Sequence, residues 1–291
     1  MSVWRWFPHV ILLVTLLGAS LAPLEATRAA NCNQPAPDLH VLARGVREAL
    51  RREYAEPLRY MYIEKRRDID ISRLGRVSVG PMRTFEVYPG LIDDYKRLIA
   101  IEDKPLDPAE LARRDAEHQR NLQKKAERER SESSERRAAR LQKEAEALRE
   151  REAILDDAMR VFEMGFVCRE VFDGDPVTVV TLKPRPQARV TTREGEWMKK
   201  SEGRLWVTDG GHQIARIRIN TIDALSIAWG VVARVESGSG FDYVRKRVGT
   251  TWVPSQLTIE GAGRTLLFRR FEVKTVTTYT NHQPYAPAPR S

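Results

Sequence analysis

Alternation of apolar and polar residues, repeated in run after run, is the feature that most constrains this fold. The pattern fills most of the chain after Met164, and glycine-containing turns separate the runs. Successive side chains of a β-strand point to opposite faces, so each run predicts a strand with one apolar face. The predicted turns are Asp173–Pro176, Asp209–Gly211, Gly238–Gly240 and Gly261–Gly263. We therefore expect one antiparallel sheet, strongly curved or partly closed.

Two segments precede this region. Alternating stretches between Leu58 and Asp103 predict three or four further antiparallel strands. Before them, apolar residues recur at helical spacing from Pro37 to Ala55. Asp38 stands where its carboxylate can accept from the first free amides of a helix. This segment predicts an amphipathic helix of about five turns.

A highly charged segment interrupts the strands. From Asp107 to Glu152, 46 residues carry 13 basic and 12 acidic side chains, with no glycine or proline after Pro108. Asp107 as cap, proline at the first helical position and Glu110 in a capping box predict a helix start. Apolar residues are too sparse for a sustained coiled coil. The segment predicts one solvated helix, or a hairpin of two helices with its hinge at Ser131–Ser134, serving as a spacer or as a docking arm.

Residues 1–29 are predicted to be a signal peptide. Arg5 precedes an apolar run from Val10 to Ala22, and Thr27 and Ala29 stand at the −3 and −1 positions of a cleavage site. The run is shorter than the ~20 residues of a membrane-spanning helix. We expect cleavage near Ala29 and a periplasmic protein, with an uncleaved segment that anchors the protein as the alternative.

The mature chain is predicted to be a single domain, residues 30–282. The charged helical arm at 107–160 interrupts it, and the proline-rich residues 283–291 are predicted to be disordered. In an oxidising compartment Cys32 and Cys168 can form a disulfide, the alternative being two unpaired thiols.

The sequence shows no catalytic or metal-binding constellation. Its five histidines are scattered without metal-ligand spacing, and two cysteines alone cannot make a zinc site. Asp68 and Asp70 share a strand face that could take a cation, although a polar outer face is favoured. We therefore predict a protein that is not an enzyme and holds no cofactor or metal.

The apolar strand faces exceed what the predicted helices can cover. An unfilled concave surface would suit acyl chains, whose burial contributes about 0.8 kcal/mol per methylene. The alternative is a sheet whose own side chains fill its interior. The residues predicted to line a cavity are Leu205, Val207, Ile217, Ile219, Leu257, Ile259, Phe271 and Val273.

The net charge of +9 and the pI near 9.7 favour an anionic partner. Export argues against nucleic acid and leaves anionic lipid or a cell-envelope polymer, with plain solubility as the alternative. The side chains predicted to contact an anionic surface are Arg216, Arg218, Arg245, Lys246, Arg247, Arg269 and Arg270.

The order of elements resembles the periplasmic lipoprotein-carrier superfamily, which includes the outer-membrane lipoprotein-sorting proteins. The stretches that carry the resemblance are GRLWVTDGGHQIARIRI, TWVPSQLTIEGAGRTLLFRRFEV and VFDGDPVTVVTLKPRP. It implies an unclosed antiparallel half-barrel with helices over a concave side that receives acyl chains. We accordingly expect a non-catalytic carrier of lipid or of acylated protein. The alternative is a cell-envelope interaction or sensor module that docks a protein partner through residues 107–152.

Overall fold

A computed structural model describes residues 34–55, 60–72, 74–89, 94–228, 232–266 and 268–285. Within these ranges, 13 strands form one open antiparallel sheet accompanied by helices, which confirms the α+β class. The helices are α1 (Leu39–Ala55), α2 (Pro108–Arg130), α3 (Ser134–Val161) and α4 (Arg193–Met198). The strands are β1 (Tyr60–Ile71), β2 (Val77–Tyr88), β3 (Tyr95–Ile101), β4 (Lys104–Pro105), β5 (Phe162–Phe172), β6 (Asp175–Pro184), β7 (Ser201–Thr208), β8 (Ile214–Thr221), β9 (Leu225–Ala228), β10 (Val232–Val235), β11 (Gly240–Val248), β12 (Thr251–Thr265) and β13 (Arg269–Pro284).

The strand order places the first and last strands side by side. It runs β4-β3-β2-β1-β13-β12-β11-β8-β7-β6-β5, and β10 pairs with both β12 and β9. Strands β4 and β5 are consecutive in the chain but lie at opposite edges of the sheet. The charged segment that links them, α2 and α3, therefore connects one edge to the other.

Helix α1 packs on one face of the sheet, called here the inner face. Asp38 caps it, since its Oδ1 accepts from the amides of His40 and Val41 at 2.8 and 3.1 Å. Leu42 and Val46 are buried against the sheet. A row of directly opposed residues, Leu205, Ile217, Tyr243, Leu257 and Thr277, marks this face across five strands.

The charged segment forms two helices with a break at Ser131–Ser133. Asp107 caps α2 by accepting from the Ala109 amide at 2.8 Å, and Ser133 caps α3 by accepting from the Arg136 amide at 3.3 Å. The buried residues of α3 are confined to its last two turns, Ile154, Leu155, Asp157 and Val161. The remainder of both helices is largely exposed, as its polarity requires.

Three predicted features of the strands are wrong. Gly261–Gly263 is not a turn but lies within β12. Glycine is needed at 263 because a Cβ there would lie 2.2 Å from the Arg234 carbonyl oxygen, where β10 pairs with β12. Strands β10 and β11 do not form a hairpin about Gly238–Gly240; both pair with β12, one after the other. Gln283 and Pro284, predicted to be disordered, are part of β13 and pair with Met61 and Tyr60 of β1.

Candidate functional site

A cavity of about 600 Å³ lies between the inner face of β5–β8 and the helices. Helix α1 contributes Leu39, Ala43, Val46 and Leu50 to its wall, and the end of α3 contributes Leu155, Ala158 and Met159. The sheet side is formed by residues of β5, β6, β7, β8 and β11, among them Met164, Leu182, Leu205, Ile217, Ile219 and Phe241. The volume falls within the ~300–1,000 Å³ of small-molecule sites, and the walls are predominantly apolar, as is typical of such sites.

Ion pairs hold α1 over the cavity. Arg51 donates to Glu152 of α3 at 2.8 Å, and Arg47 pairs with Asp156 one turn further along α3. Near the C-terminal end of α1, Glu53 also accepts from the buried guanidinium of Arg245 of β11 at 2.9 Å. Because Arg51 pairs with Glu152 and Arg47 with Asp156, α1 and α3 run antiparallel. Helix α1 is therefore attached both to α3 and to β11.

The turn between β7 and β8 also contacts α1. A Cβ built on Gly45 would lie 2.4 Å from Cγ of His212, the residue that follows Asp209–Gly211. His212 itself has a positive φ of 55°, which presents its ring to the helix. The Asp-Gly-Gly turn thus places a side chain against α1 in addition to reversing the strand.

We expect Gly45→Ala to destabilise the protein although alanine is the better helix former. Alanine gains about 1 kcal/mol in helix propensity, but the clash with His212 should cost about 1–3 kcal/mol. In the background of His212→Ala the same change should become stabilising. Urea unfolding of the four proteins of this cycle measures both effects, and equal effects in the two backgrounds would contradict the contact.

Helix α4, which the sequence pattern did not predict, covers part of the cavity. Trp197 and Met198 line the cavity, and Asp157 of α3 fixes the start of the helix. The fully buried carboxylate of Asp157 accepts from the Thr192 amide and hydroxyl, each at 2.7 Å. Burial raises the pKa of Asp157, but these hydrogen bonds outweigh it and leave that pKa lowered. Thr192 followed by acidic residues in the first turn was the available signal.

The predicted cavity residues lie in different parts of the structure. Leu205, Ile217 and Ile219 line the cavity, and Val207 is fully buried in the core cluster beside it. Leu257 and Ile259 instead pack with Tyr279 in a separate cluster, where the sheet fills its own interior. Phe271 and Val273 lie opposite Gly263 and Gly261, and neither is among the described residues that line the cavity.

The predicted anion-contacting residues also separate. The prediction that Arg245 contacts an anionic surface is wrong. Arg245 is 4 % exposed and pairs with Glu53, because it lies on the inner face of β11 like Tyr243. Arg216 and Arg218 share Asp242, with Nε–Oδ distances of 2.9 and 2.8 Å. Burial would raise the pKa of Asp242, but the hydrogen bonds from both arginines hold it below its usual value.

The remaining members of that set differ in their surroundings. Arg247 pairs with Asp175 at 2.6 Å, which ties the β11–β12 hairpin to the β5–β6 turn. Lys246 is half-buried, whereas Arg269 and Arg270 are exposed at the start of β13. Arg269 and Arg270 therefore place two exposed positive charges next to the β12–β13 turn.

Charged side chains border one end of the cavity. His40 lies on the first turn of α1, Glu163 and Arg185 at adjoining ends of β5 and β6, and Glu194 on α4. Arg185 Nε and Glu163 lie 3.8 Å apart. A ligand with a polar head and an apolar body would place its head at this end.

A second polar cluster lies on the inner face outside the cavity. Glu64 of β1 is fully buried, with Lys96 at 2.7 Å and Arg66 at 3.2 Å. Tyr62 and Tyr279 pack edge-to-face beside it, and burial followed by the Glu64 charge raises the pKa of both phenols well above the usual value.

His282 stacks on Tyr62 at a centroid distance of 5.5 Å, and its titration gives a pH prediction. Burial, with help from Lys246, lowers the pKa of His282 to about 4. The unfolded chain, with a histidine pKa near 6.5, binds more protons between these values. Stability should therefore fall as pH drops from about 6.5 to about 4. His282→Phe should flatten this slope in urea titrations taken across that range, and an unchanged slope would contradict the assignment.

No group of three or more potential metal-ligating side chains occurs among the described residues. None of the helices in the same ranges is long and apolar enough to cross a membrane. Cys168 is buried, but Cys32 and the predicted signal peptide lie outside the described residues, so the disulfide and the cleavage site stay predictions.

The comparisons with known proteins add no family to this picture. No protein-family model and no curated protein matches the chain.

Proposed function

We propose that this protein is a periplasmic, non-catalytic carrier that binds lipid or the acyl chains of acylated protein in the cavity under α1. The apolar lining between α1, α3, α4 and β5–β8 is the observation that carries this proposal. Binding follows from removing acyl methylenes from water, and release follows when a partner of higher affinity takes the ligand. The resemblance of the strand sequences to lipoprotein carriers supports the same reading.

The proposed pose follows from the polarity of the walls. The acyl chain would lie along α1 between Ala43 and Leu50, against Leu205 and Ile217. Its polar head would remain at the end bordered by His40, Glu163, Arg185 and Glu194. Beyond Leu50, Glu53 near the end of α1 pairs with Arg245 of β11.

Mass spectrometry under native conditions tests the proposal. Protein purified without detergent should carry a lipid, and the delipidated protein should take up a fluorescent fatty acid that a natural lipid displaces. A protein that is free of lipid and fails to take up the probe would exclude the carrier function.

One observation favours a second function, docking of an envelope protein on the arm. Leu122, Leu141 and Leu148 are 46, 50 and 55 % exposed on otherwise charged helices. Deleting the arm is a poor test, because its ends are attached to opposite edges of the sheet. A photo-cross-linker at position 141 should instead give a defined adduct in cells, which serine at positions 122 and 148 reduces. Absence of any adduct would remove this alternative.

A further inference from the structure

Two large apolar side chains are exposed together at one end of the sheet. Leu74, in the β1–β2 turn, is 70 % exposed, and Phe268, in the β12–β13 turn, is 73 % exposed. Both values exceed those of the other exposed large apolar residues in the described ranges. Single exposed apolar residues are ordinary on protein surfaces, so their placement on neighbouring turns is what matters.

The two turns are bound to each other. The fully buried Thr265 donates from its hydroxyl to the Gly75 carbonyl oxygen, and the Phe268 amide donates to the Thr265 carbonyl at 3.3 Å. Gly75 has a φ of +70°, and a Cβ there would lie 2.8 Å from the Thr265 hydroxyl oxygen. These contacts hold Leu74 and Phe268 close together at one end of the sheet, called here the tip.

Beside this tip, arginines face one another across three strands. Arg234 lies directly opposite Arg264, which lies directly opposite Arg270. All three are exposed, and Glu236 pairs with Arg264 at 3.5 Å. Like charges on directly opposed residues destabilise a sheet, and an anionic surface would reduce this repulsion further than Glu236 does.

The balance of charge around the tip is positive. Arg76 and Arg269 are also exposed there, so five arginines stand against the exposed carboxylates of Asp70, Glu236 and Glu272. Apolar side chains that project from a basic surface match a bilayer with anionic headgroups, where the apolar groups enter the acyl boundary and the arginines meet phosphates.

We propose that the β1–β2 and β12–β13 turns dock this protein on an anionic lipid bilayer, with Leu74 and Phe268 inserted and Arg234, Arg264 and Arg270 on the headgroups. The strand register places this tip at the charged end of the cavity. Leu225, which lines the cavity, is opposite Val235, and Val235 is opposite Gly263, two residues from Thr265. This surface extends the carrier proposal by naming where lipid would be exchanged.

Vesicle flotation tests the docking surface. Wild-type protein should float with phosphatidylglycerol–phosphatidylcholine vesicles, less with pure phosphatidylcholine, and less as salt is raised. Leu74→Ser/Phe268→Ser and Arg234→Gln/Arg270→Gln should each weaken flotation with anionic vesicles roughly tenfold. Exposed positions are used throughout, so circular dichroism melts should match those of wild type.

Matched controls on the arm remove the same chemistry elsewhere. Leu141→Ser/Leu148→Ser and Arg128→Gln/Arg130→Gln should float like wild type. The proposal is overturned if wild type does not float with anionic vesicles, if the tip variants float normally, or if the arm variants lose binding equally. The tip variants should still take up a fluorescent fatty acid in the absence of vesicles. If wild-type protein floats with vesicles but takes up no fatty acid, the carrier function is overturned and the docking surface is not.

Discussion

Filling the cavity should weaken lipid uptake at least tenfold without unfolding the protein. Ala43 of α1 and Ala158 of α3 both line the cavity, so Ala43→Trp/Ala158→Phe places two rings in the space proposed for the acyl chain. We expect the affinity for a fluorescent fatty acid to fall roughly tenfold or more, which corresponds to about 1.4 kcal/mol or more. The melting temperature should stay level or rise, because the new rings gain apolar contacts.

The matched control for this variant is Ala126→Trp. Ala126 is exposed on α2, so a tryptophan is added there away from the cavity. It should bind the probe like wild type. If the cavity-filling variant also keeps its affinity, the ligand binds elsewhere or not at all.

Lys96→Met should give the largest loss of stability among single changes on the inner face. It leaves the fully buried Glu64 without its closest cation, and removing one partner of a buried pair costs about 3–5 kcal/mol. We expect about 3 kcal/mol, since Arg66 remains 3.2 Å from the Glu64 carboxylate. Urea unfolding measures the free energy of unfolding directly.

Two further variants separate burial from charge. Lys65 is the neighbouring lysine and pairs with the exposed Asp103 at 2.7 Å, so Lys65→Met should cost less than about 1 kcal/mol. The double change Glu64→Leu/Lys96→Met should recover most of the loss, because no buried charge is then left without a partner. Equal losses for Lys65→Met and Lys96→Met would show that burial of Glu64 carries no energetic weight.

The sequence pattern predicted the sheet and its apolar face well, because alternation is a local property. Leu205, Ile217 and Ile219 line the cavity as their alternation indicated. The same alternation places Arg245 on the face of Tyr243, but its charge suggested an outward position. Its partner Glu53 is 192 residues away in the chain, so nothing local shows that the arginine is neutralised.

Long-range pairing explains the other differences. Arg216 and Arg218 were expected to face an anionic surface, yet Asp242 of β11 lies between them once β8 and β11 pair. Gly261–Gly263 has the composition of a turn, and only the approach of β10 explains why glycine is needed within β12. Helix α4 is six residues long, too short for helical periodicity to show.

The two edges of the sheet are connected in two ways, through the paired strands and through the charged helices. Hydrogen-bonded ladders run from β4 to β5 across the whole sheet, and the charged arm returns covalently from one edge to the other. At 1.5 Å per residue, α2 and α3 are about 35 and 42 Å long. Together they link the β4 edge of the sheet to the β5 edge. The two helices meet at the break at Ser131–Ser133. The distance between the two edges of the sheet is therefore limited by the lengths of these two helices and by the angle between them at the break.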